Sequence, residues 1–136
     1  MATSATIILK TKEGDYKSIY LHNDGYPQGA GSVLKNYYND YDKVEKLISL
    51  GNISSLGQKP NSSPDVWKDS NDMFYVMQHP EFWEENTLAY KDRGETDQEA
   101  QVSQELAYAI GATSYTYLFQ DGDWYMVDDD GGLQLL

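Results

Sequence analysis

The sequence predicts an α+β fold: an antiparallel sheet made of two hairpins and one or two central strands, with helices packed on one face. A hairpin-like pair of strands lies near each end of the chain, and segments with helical periodicity lie between the two pairs. The length of 136 residues and an apolar fraction of 40% suit one domain, residues 1–136, that buries a core of its own.

The first hairpin is predicted over residues 6–10 and 17–21, two short segments rich in β-branched and aromatic side chains. Gly14 lies between them and can adopt the positive φ that a tight turn needs. Turn-forming residues follow at 22–27, so the chain is expected to leave the strand direction there.

Two helices are predicted after this turn. Apolar residues recur at spacings of three and four over residues 30–38 and again over residues 41–48. Asp40 is placed to cap the start of the second helix, and Gly51 is placed to end it. Residues 52–63 are rich in Gly, Ser, Asn and Pro and are predicted as a loop.

The middle of the chain is predicted to contribute central strands and a third helix. The continuous apolar run at residues 73–77 predicts a buried strand, and residues 87–90 predict another, with one helical turn or a loop at 80–85. Thr96 and Glu99 have the spacing of a capping box, which predicts a helix after them. The expected apolar face of that helix consists of Val102, Leu106, Ala109 and Ile110.

The last hairpin has the clearest sequence signal. Residues 115–119 and 124–127 are rich in aromatic and aliphatic side chains, and Asp121-Gly122 between them is typical of a tight hairpin turn. Residues 128–136 begin with three aspartates, and this segment could be a flexible acidic tail.

Composition argues against several classes of function. The formal net charge of −12 argues against direct binding to nucleic acids or anionic membranes, since phosphate contacts need local cations. The chain has no cysteine, which excludes disulfides, thiolate zinc sites and cysteine nucleophiles. It has neither a run of about 20 apolar residues nor the basic and apolar segments of a signal peptide. We therefore expect a protein of the cytosol.

The negative charge belongs to the second half of the chain. Residues 69–136 contain fifteen acids but only Lys91 and Arg93 as bases, whereas residues 1–68 are close to neutral. Such a surface can simply solvate the protein, or it can bind a basic partner by presenting carboxylates in place of phosphates. In the second case we expect carboxylates from distant segments to converge on one contiguous patch. Its expected members are Glu84, Glu85, Asp92, Glu95, Asp97, Asp121, Asp123, Asp128, Asp129 and Asp130.

A second candidate site is the turn that contains His22, Asp24 and Tyr26. A histidine–aspartate pair can transfer protons, but no serine, cysteine or second histidine lies nearby in sequence, so a structural role is favoured and no enzyme is expected. Together with the small residues 29–32, this corner could instead bind a small ligand. The aspartate clusters lack the spacing of a calcium loop, so neither a metal nor a cofactor is expected.

Three motifs together resemble a family of small proteins encoded by bacteriophages and prophages, mostly of unknown function. The motifs are Asp24-Gly25-Tyr26-Pro27, the segment from Leu50 to Gly57, and the segment from Tyr117 to Tyr125. The resemblance covers most of the chain and implies a phage gene product that acts in the cytoplasm of a host bacterium. Small acidic phage proteins include inhibitors of host defence such as anti-CRISPR proteins, which favours the binding interpretation of the charge.

Two functions follow as expectations. The first is an inhibitor of a host defence system: an acidic, nucleic-acid-mimicking protein that binds a basic surface on a host nuclease or CRISPR effector. The alternative is a small-ligand module that sequesters a nucleotide immune signal near Asp24 and Tyr26. A single arginine, Arg93, counts against the alternative because phosphates prefer cationic sites. The sequence leaves the oligomeric state open.

Overall fold

The computed structural model describes residues 2–136, which form one eight-stranded sheet and six short α-helices. This architecture confirms the predicted α+β class. The strands are β1 (Ala5–Lys10), β2 (Tyr16–Leu21), β3 (Ile53–Ser55), β4 (Leu88–Ala89), β5 (Gln101–Ser103), β6 (Tyr115–Gln120), β7 (Asp123–Val127) and β8 (Leu133–Leu135). The helices are α1 (Ser32–Tyr37), α2 (Tyr41–Ser49), α3 (Pro64–Ser70), α4 (Met73–Gln78), α5 (Phe82–Glu85) and α6 (Leu106–Ala109).

The strand order is β4-β3-β2-β1-β6-β7-β8, and β5 pairs with β2 on the same side as β3. Both predicted hairpins form, as β1–β2 and β6–β7. The sheet is mixed, not antiparallel throughout, because β1 runs parallel to β6 and β2 runs parallel to β3. Strand patterning reports which residues are buried but not the direction of the neighbouring strand, so the parallel pairs could not be foreseen.

The core occupies both faces of the sheet, whereas the sequence predicted helices on one face only. On one face, Ile7 and Leu9 pack with buried residues of α1 and α2, including Leu34 and Leu47. On the other face, Ile8 packs against a smaller cluster that includes α6. Because both faces are covered, β1 has a continuous apolar run instead of an alternating one.

Asn52 closes a gap on the outer edge of β2, between β3 and β5. Its side-chain carbonyl accepts a hydrogen bond from the Tyr20 amide (2.9 Å), and its backbone carbonyl accepts one from Tyr90 (3.1 Å). Its own amides donate to the backbone and side chain of Gln98 at 2.8 and 3.0 Å. Asn52 therefore ties three separate segments to the edge of the sheet. Gly51 before it ends α2 with a φ of +78°, as its sequence position predicted.

The prediction of a buried strand over residues 73–77 is wrong, because this segment forms α4. Asp72 caps the helix by accepting a hydrogen bond from the Tyr75 amide at 3.1 Å. None of the residues of α4 is buried. The apolar run of Met73-Phe74-Tyr75-Val76-Met77 was interpreted as buried because of its composition, whereas a run of this length is ambiguous between helix and strand.

The prediction of a helix containing Val102, Leu106, Ala109 and Ile110 is also wrong over its first half. Residues Gln101–Ser103 form β5, which pairs with the free edge of β2 between Tyr16 and Ser18, and only Leu106–Ala109 are helical. The unpaired backbone groups of β2 offer the segment hydrogen bonds that a helix could not use, so tertiary pairing overrides the capping signal. In the predicted loop over residues 52–63, β3 forms for the same reason.

Several predicted elements are confirmed. The Asp40 side chain caps α2 by accepting a hydrogen bond from the Lys43 amide at 2.8 Å. A strand and a helical turn form at the places predicted for residues 87–90 and 80–85, as β4 and α5.

Residues 128–136, for which the sequence suggests a flexible acidic tail, contain β8, which pairs with β7. The helices within residues 2–136 are all too short or too polar to span a lipid bilayer.

Tyr117 links the central strand β6 to the turn that follows β2. Its fully buried hydroxyl donates a hydrogen bond to the carbonyl oxygen of Gly25 at 2.7 Å. Burial raises the pKa of Tyr117 far above its usual range, and burial raises the pKa of Tyr38 in the same way. The neutral phenols are therefore part of the stable folded state.

We expect Tyr117→Phe to lower the free energy of unfolding by about 1 kcal/mol at neutral pH, because the Gly25 carbonyl loses its donor. In the native protein, stability is complete below about pH 10 and falls as the pH rises toward the raised pKa, since the unfolded chain ionises first. The Phe variant should lose less stability than the native protein between neutral and alkaline pH. Urea unfolding at neutral and at alkaline pH measures the free energy of unfolding of both proteins.

The exposed Tyr108 provides the control, because Tyr108→Phe should leave both the neutral stability and its alkaline decline unchanged. An equally steep alkaline decline in Tyr117→Phe and the native protein would contradict the assignment.

Candidate functional site

The ten predicted partner-binding acids are distributed over several elements of the structure. Glu84 and Glu85 lie on α5, and Asp92, Glu95 and Asp97 lie in the segment that connects β4 to β5. The other five acids lie at the two ends of β7, which is five positions away from β4 in the strand order. One contiguous anionic surface formed by this set therefore stays a prediction.

The acids of the last hairpin are themselves divided. Asp121 and Asp123 lie at the β6–β7 turn, whereas Asp128, Asp129 and Asp130 lie at the opposite end of β7, about 17 Å along the strand direction. The two positions face different ends of the sheet because β7 connects them as an extended strand. The two groups are close in the sequence but lie at opposite ends of a strand.

Several of these acids have local partners. Glu85 lies 3.7 Å from the Lys59 ammonium, and Glu95 forms an ion pair with Arg93. Asp92 accepts a hydrogen bond from the Ser62 hydroxyl at 2.6 Å. Asp121 lines a shallow groove together with Lys10 and Lys12. Part of the negative charge is therefore neutralised by a neighbouring base or engaged in a local hydrogen bond.

Asp128 has a structural role in the β7–β8 turn. Its carboxylate accepts hydrogen bonds from the backbone amides of Asp130 at 3.0 Å and Gly132 at 2.7 Å. This closes the turn and positions β8 against β7. Asp128 thus stabilises the hairpin, whereas its neighbour Asp129 is simply exposed.

We expect Asp128→Ala to destabilise the β7–β8 hairpin by about 1 kcal/mol, because two backbone amides lose their acceptor. Asp129→Ala is the matched control and should change stability by less than about 0.5 kcal/mol. Amide hydrogen exchange of β8 and thermal unfolding measure both effects. Equal effects of the two substitutions would contradict the structural role of Asp128.

The long connection between β3 and β4 carries the helices α3, α4 and α5 along the edge of the sheet. Trp67 of α3 donates a hydrogen bond from its indole to the Ala89 carbonyl at 2.5 Å. The Arg93 guanidinium lies over the rings of both Trp67 and Tyr90, at 4.8 and 5.0 Å from their centroids. These contacts fix the base of the connection, although neither α3 nor α4 contributes a buried residue.

Helix α4 presents an apolar face to solvent. Met73, Phe74 and Met77 are 76%, 80% and 72% exposed, and their spacing places them on one side of the helix. The opposite side is held by Tyr75, whose ring stacks on His79 at 4.0 Å and meets Phe82 edge-on at 6.2 Å. Phe82 is buried, so the helix is attached through Tyr75 while its methionines and Phe74 point outward.

Acids surround this apolar face. Residues 64–85 contain six acids and one basic residue, Lys68. Asp72 and Glu81 flank α4 directly and are exposed, and Asp69 ends the preceding helix close by. We call this region the α4 surface and define it by Met73, Phe74, Met77, Asp69, Asp72 and Glu81. This surface is not visible in the sequence, because the apolar run at residues 73–77 indicates a buried strand.

The second predicted site is partly assembled by the structure. Asp24 and Tyr26 line a cleft of about 260 Å³ at the end of the sheet, together with Asn23, Ser55 and Trp83. His22 does not line it, because its Nδ1 lies 2.7 Å from the Tyr20 hydroxyl. Among residues 2–136 no ion pair joins His22 to Asp24, so the geometry gives no support to an acid–base pair.

Ser55 and Trp83 could not be identified from the sequence as members of this corner. Ser55 comes from β3 and Trp83 from α5, and the two residues approach Asp24 only through the pairing of β3 with β2. Within the described part of the chain, His, Asp and Glu residues do not gather in threes as metal ligands would.

Comparison with protein-family models, with curated proteins and with solved structures finds no match to this chain.

Proposed function

We propose that this chain is a non-enzymatic binding protein that docks onto a basic partner protein through the α4 surface. The observation that carries the proposal is the exposure of Met73, Phe74 and Met77 at 72–80% on one side of a helix bordered by acids. Single exposed apolar residues are ordinary, but a contiguous group with a polar border is typical of an interaction site.

The side chains of the α4 surface suit an anchoring role. Phe74 offers a rigid apolar ring, and the flexible thioether side chains of Met73 and Met77 can adapt to the shape of a pocket. Three apolar anchors on one helix face correspond to the way in which amphipathic helices bind into apolar grooves. The occupant that fits is therefore an apolar surface on another protein.

Charge indicates that this partner surface is bordered by lysine or arginine. Asp69 and Asp72 precede the apolar anchors in the chain and Glu81 follows them, and the chain as a whole carries a net charge of −12. A second copy of the chain would bring the same acids face to face, and an anionic lipid surface would also be repelled. The dispersed acids elsewhere would attract a basic partner from a distance, and the apolar anchors would hold it.

The resemblance to phage-encoded proteins extends this proposal to the identity of the partner. A host defence protein, such as a nuclease or CRISPR effector, has a basic surface for nucleic acid, and an acidic protein docked beside that surface would inhibit it. We therefore propose an inhibitor that acts in the cytoplasm of the host bacterium. A nucleotide-sequestering function is less well supported, since neither lysine nor arginine lines the cleft at Asp24 and phosphates prefer cations.

The α4 surface should bind a labelled helical peptide with one leucine face and flanking lysines, as measured by fluorescence polarisation. We expect binding at low salt that weakens at least about tenfold in about 0.5 M salt, because screening removes the attraction between charges. Combining Phe74→Ser with Met77→Ser should weaken binding at least about tenfold by removing the anchors. Both residues are exposed, so the melting temperature should not change.

Two controls make this result specific. Combining Val102→Ser with Tyr108→Ser changes exposed apolar residues on β5 and α6 and should leave binding intact. The same peptide with glutamate in place of lysine should not bind. Equal binding of both peptides, or no effect of the substitutions on α4, would overturn the proposal. Dimerisation of the native chain that is lost with Phe74→Ser would instead identify a second copy as the occupant.

A further inference from the structure

The cleft at the end of the sheet contains an unsatisfied polar group. Within residues 2–136, the Ser55 hydroxyl is the buried side-chain oxygen or nitrogen that lacks a hydrogen-bond partner. It lines the cleft beside Asp24 and Asn23, with Tyr26 and Trp83 completing the lining. A buried hydroxyl without a partner costs free energy, and a ligand in the cleft would complete its hydrogen bonding once rotation about χ1 of Ser55 turns the hydroxyl toward the cleft.

Apart from the Trp83 indole and the Tyr26 hydroxyl, the polar side chains of this cleft present mainly hydrogen-bond acceptors. The Asn23 amide nitrogen already donates to the carbonyl and hydroxyl oxygens of Ser54, at 3.0 and 3.2 Å, which leaves its side-chain oxygen available. Asp24 offers a carboxylate, and no salt bridge holds it within the described residues. Lysine, arginine and histidine are absent from the lining. A ligand rich in donors and carrying positive charge matches this arrangement.

Two aromatic side chains border the same cleft. Tyr26 and Trp83 are both partly exposed, so their rings are accessible from the cleft and from solvent. The face of an aromatic ring attracts a flat cation, and tryptophan attracts it most strongly. The cleft therefore combines aromatic rings with carboxylate and amide oxygens.

The turn that forms the cleft is held in place before any ligand binds. Asp24 adopts a φ of +58°, and its carbonyl accepts a hydrogen bond from the Ala30 amide at 2.9 Å. Gly25 donates to the Thr3 carbonyl at 2.8 Å and accepts from the Tyr117 hydroxyl. Because these bonds join the turn to the sheet, little ordering is needed when a ligand enters.

We infer that this cleft binds a guanidinium group, with its N–H donors directed to Asp24, Asn23 and Ser55 and its plane against Tyr26 or Trp83. Guanidinium is flat, always charged and has donors but no acceptor, which matches the lining of the cleft. This site is additional to the α4 surface and does not depend on it.

Two sources of guanidinium are distinguished by the choice of probe. Agmatine represents a free guanidino compound, and arginine capped at both ends represents the side chain of a partner protein. Capped citrulline has nearly the same shape without the charge and is the matched control. Titration followed by the NMR signal of the Trp83 indole, which is separable from those of Trp67 and Trp124, reports binding at the cleft.

We expect both guanidinium probes to shift the Trp83 indole signal and capped citrulline to bind at least about tenfold more weakly. Asp24→Asn and Trp83→Ala should each weaken binding about tenfold. Ser55→Ala, which removes only the unpartnered hydroxyl, should weaken binding a few-fold without lowering the melting temperature. Tighter binding of capped arginine than of agmatine would assign the site to a partner side chain, and the reverse order to a free compound.

Equal binding of capped citrulline and capped arginine would overturn the inference, as would unchanged binding in Asp24→Asn. If Trp83→Ala fails to fold, Ser55→Ala and Asp24→Asn still decide the question. Phe74→Ser should leave these titrations unchanged, and Asp24→Asn should leave binding of the leucine–lysine peptide unchanged. Failure of the cleft proposal is thereby separated from failure of the proposed docking function.

Discussion

The fold depends on the parallel pairing of β1 with β6, which joins the two ends of the chain at the centre of the sheet. Ala5 pairs with Tyr115 and Leu9 with Phe119, and both faces of β1 are buried. Parallel neighbours cannot be joined by a tight turn, so the chain between β2 and β6 must return across the sheet before β6 can form. That requirement explains why the helices and the short strands β3, β4 and β5 lie between the two hairpins.

This arrangement separates the part of the chain that makes the core from the part that is free to bind. Buried residues of α1 and α2 cover the sheet, but α3 and α4 contribute none. The connection between β3 and β4 is anchored through Trp67 and Phe82 and otherwise faces solvent. Segments that are not needed for the core can change without unfolding the protein, and binding surfaces are commonly placed on them.

The distribution of acids changes the meaning of the net charge. Carboxylates spread over many elements create a negative field around the molecule. Such a field favours encounter with a basic partner and keeps the chain soluble, whereas it gives little selectivity. Selectivity would come from local features, namely the apolar face of α4 and the acceptor-rich cleft at Asp24. Both are reached through the same β3–β4 connection, since Trp83 of the cleft follows α4 closely.

The sequence by itself determined the local structure that depends on neighbours in the chain. The hairpin turns at Gly14 and Asp121-Gly122, the Asp40 cap and the Gly51 helix end all form as predicted, because each rests on backbone preferences within a few residues. Tertiary structure decided the remainder. The free edge of β2 captured residues 101–103 as a strand, and α4 stayed outside the core although its composition indicated burial.

The candidate sites show the same division. Asp24 and Tyr26 were recognisable because a turn rich in polar residues is visible in the sequence, but Ser55 and Trp83 were not. Ser55 reaches the cleft because β3 pairs with β2. Trp83 reaches it because the connection between β3 and β4 returns to the sheet through α5. Charge could likewise be counted from the sequence but not placed. Local preferences act over a few residues, whereas the positions of surface groups depend on strand order, which is set by burial over the whole chain.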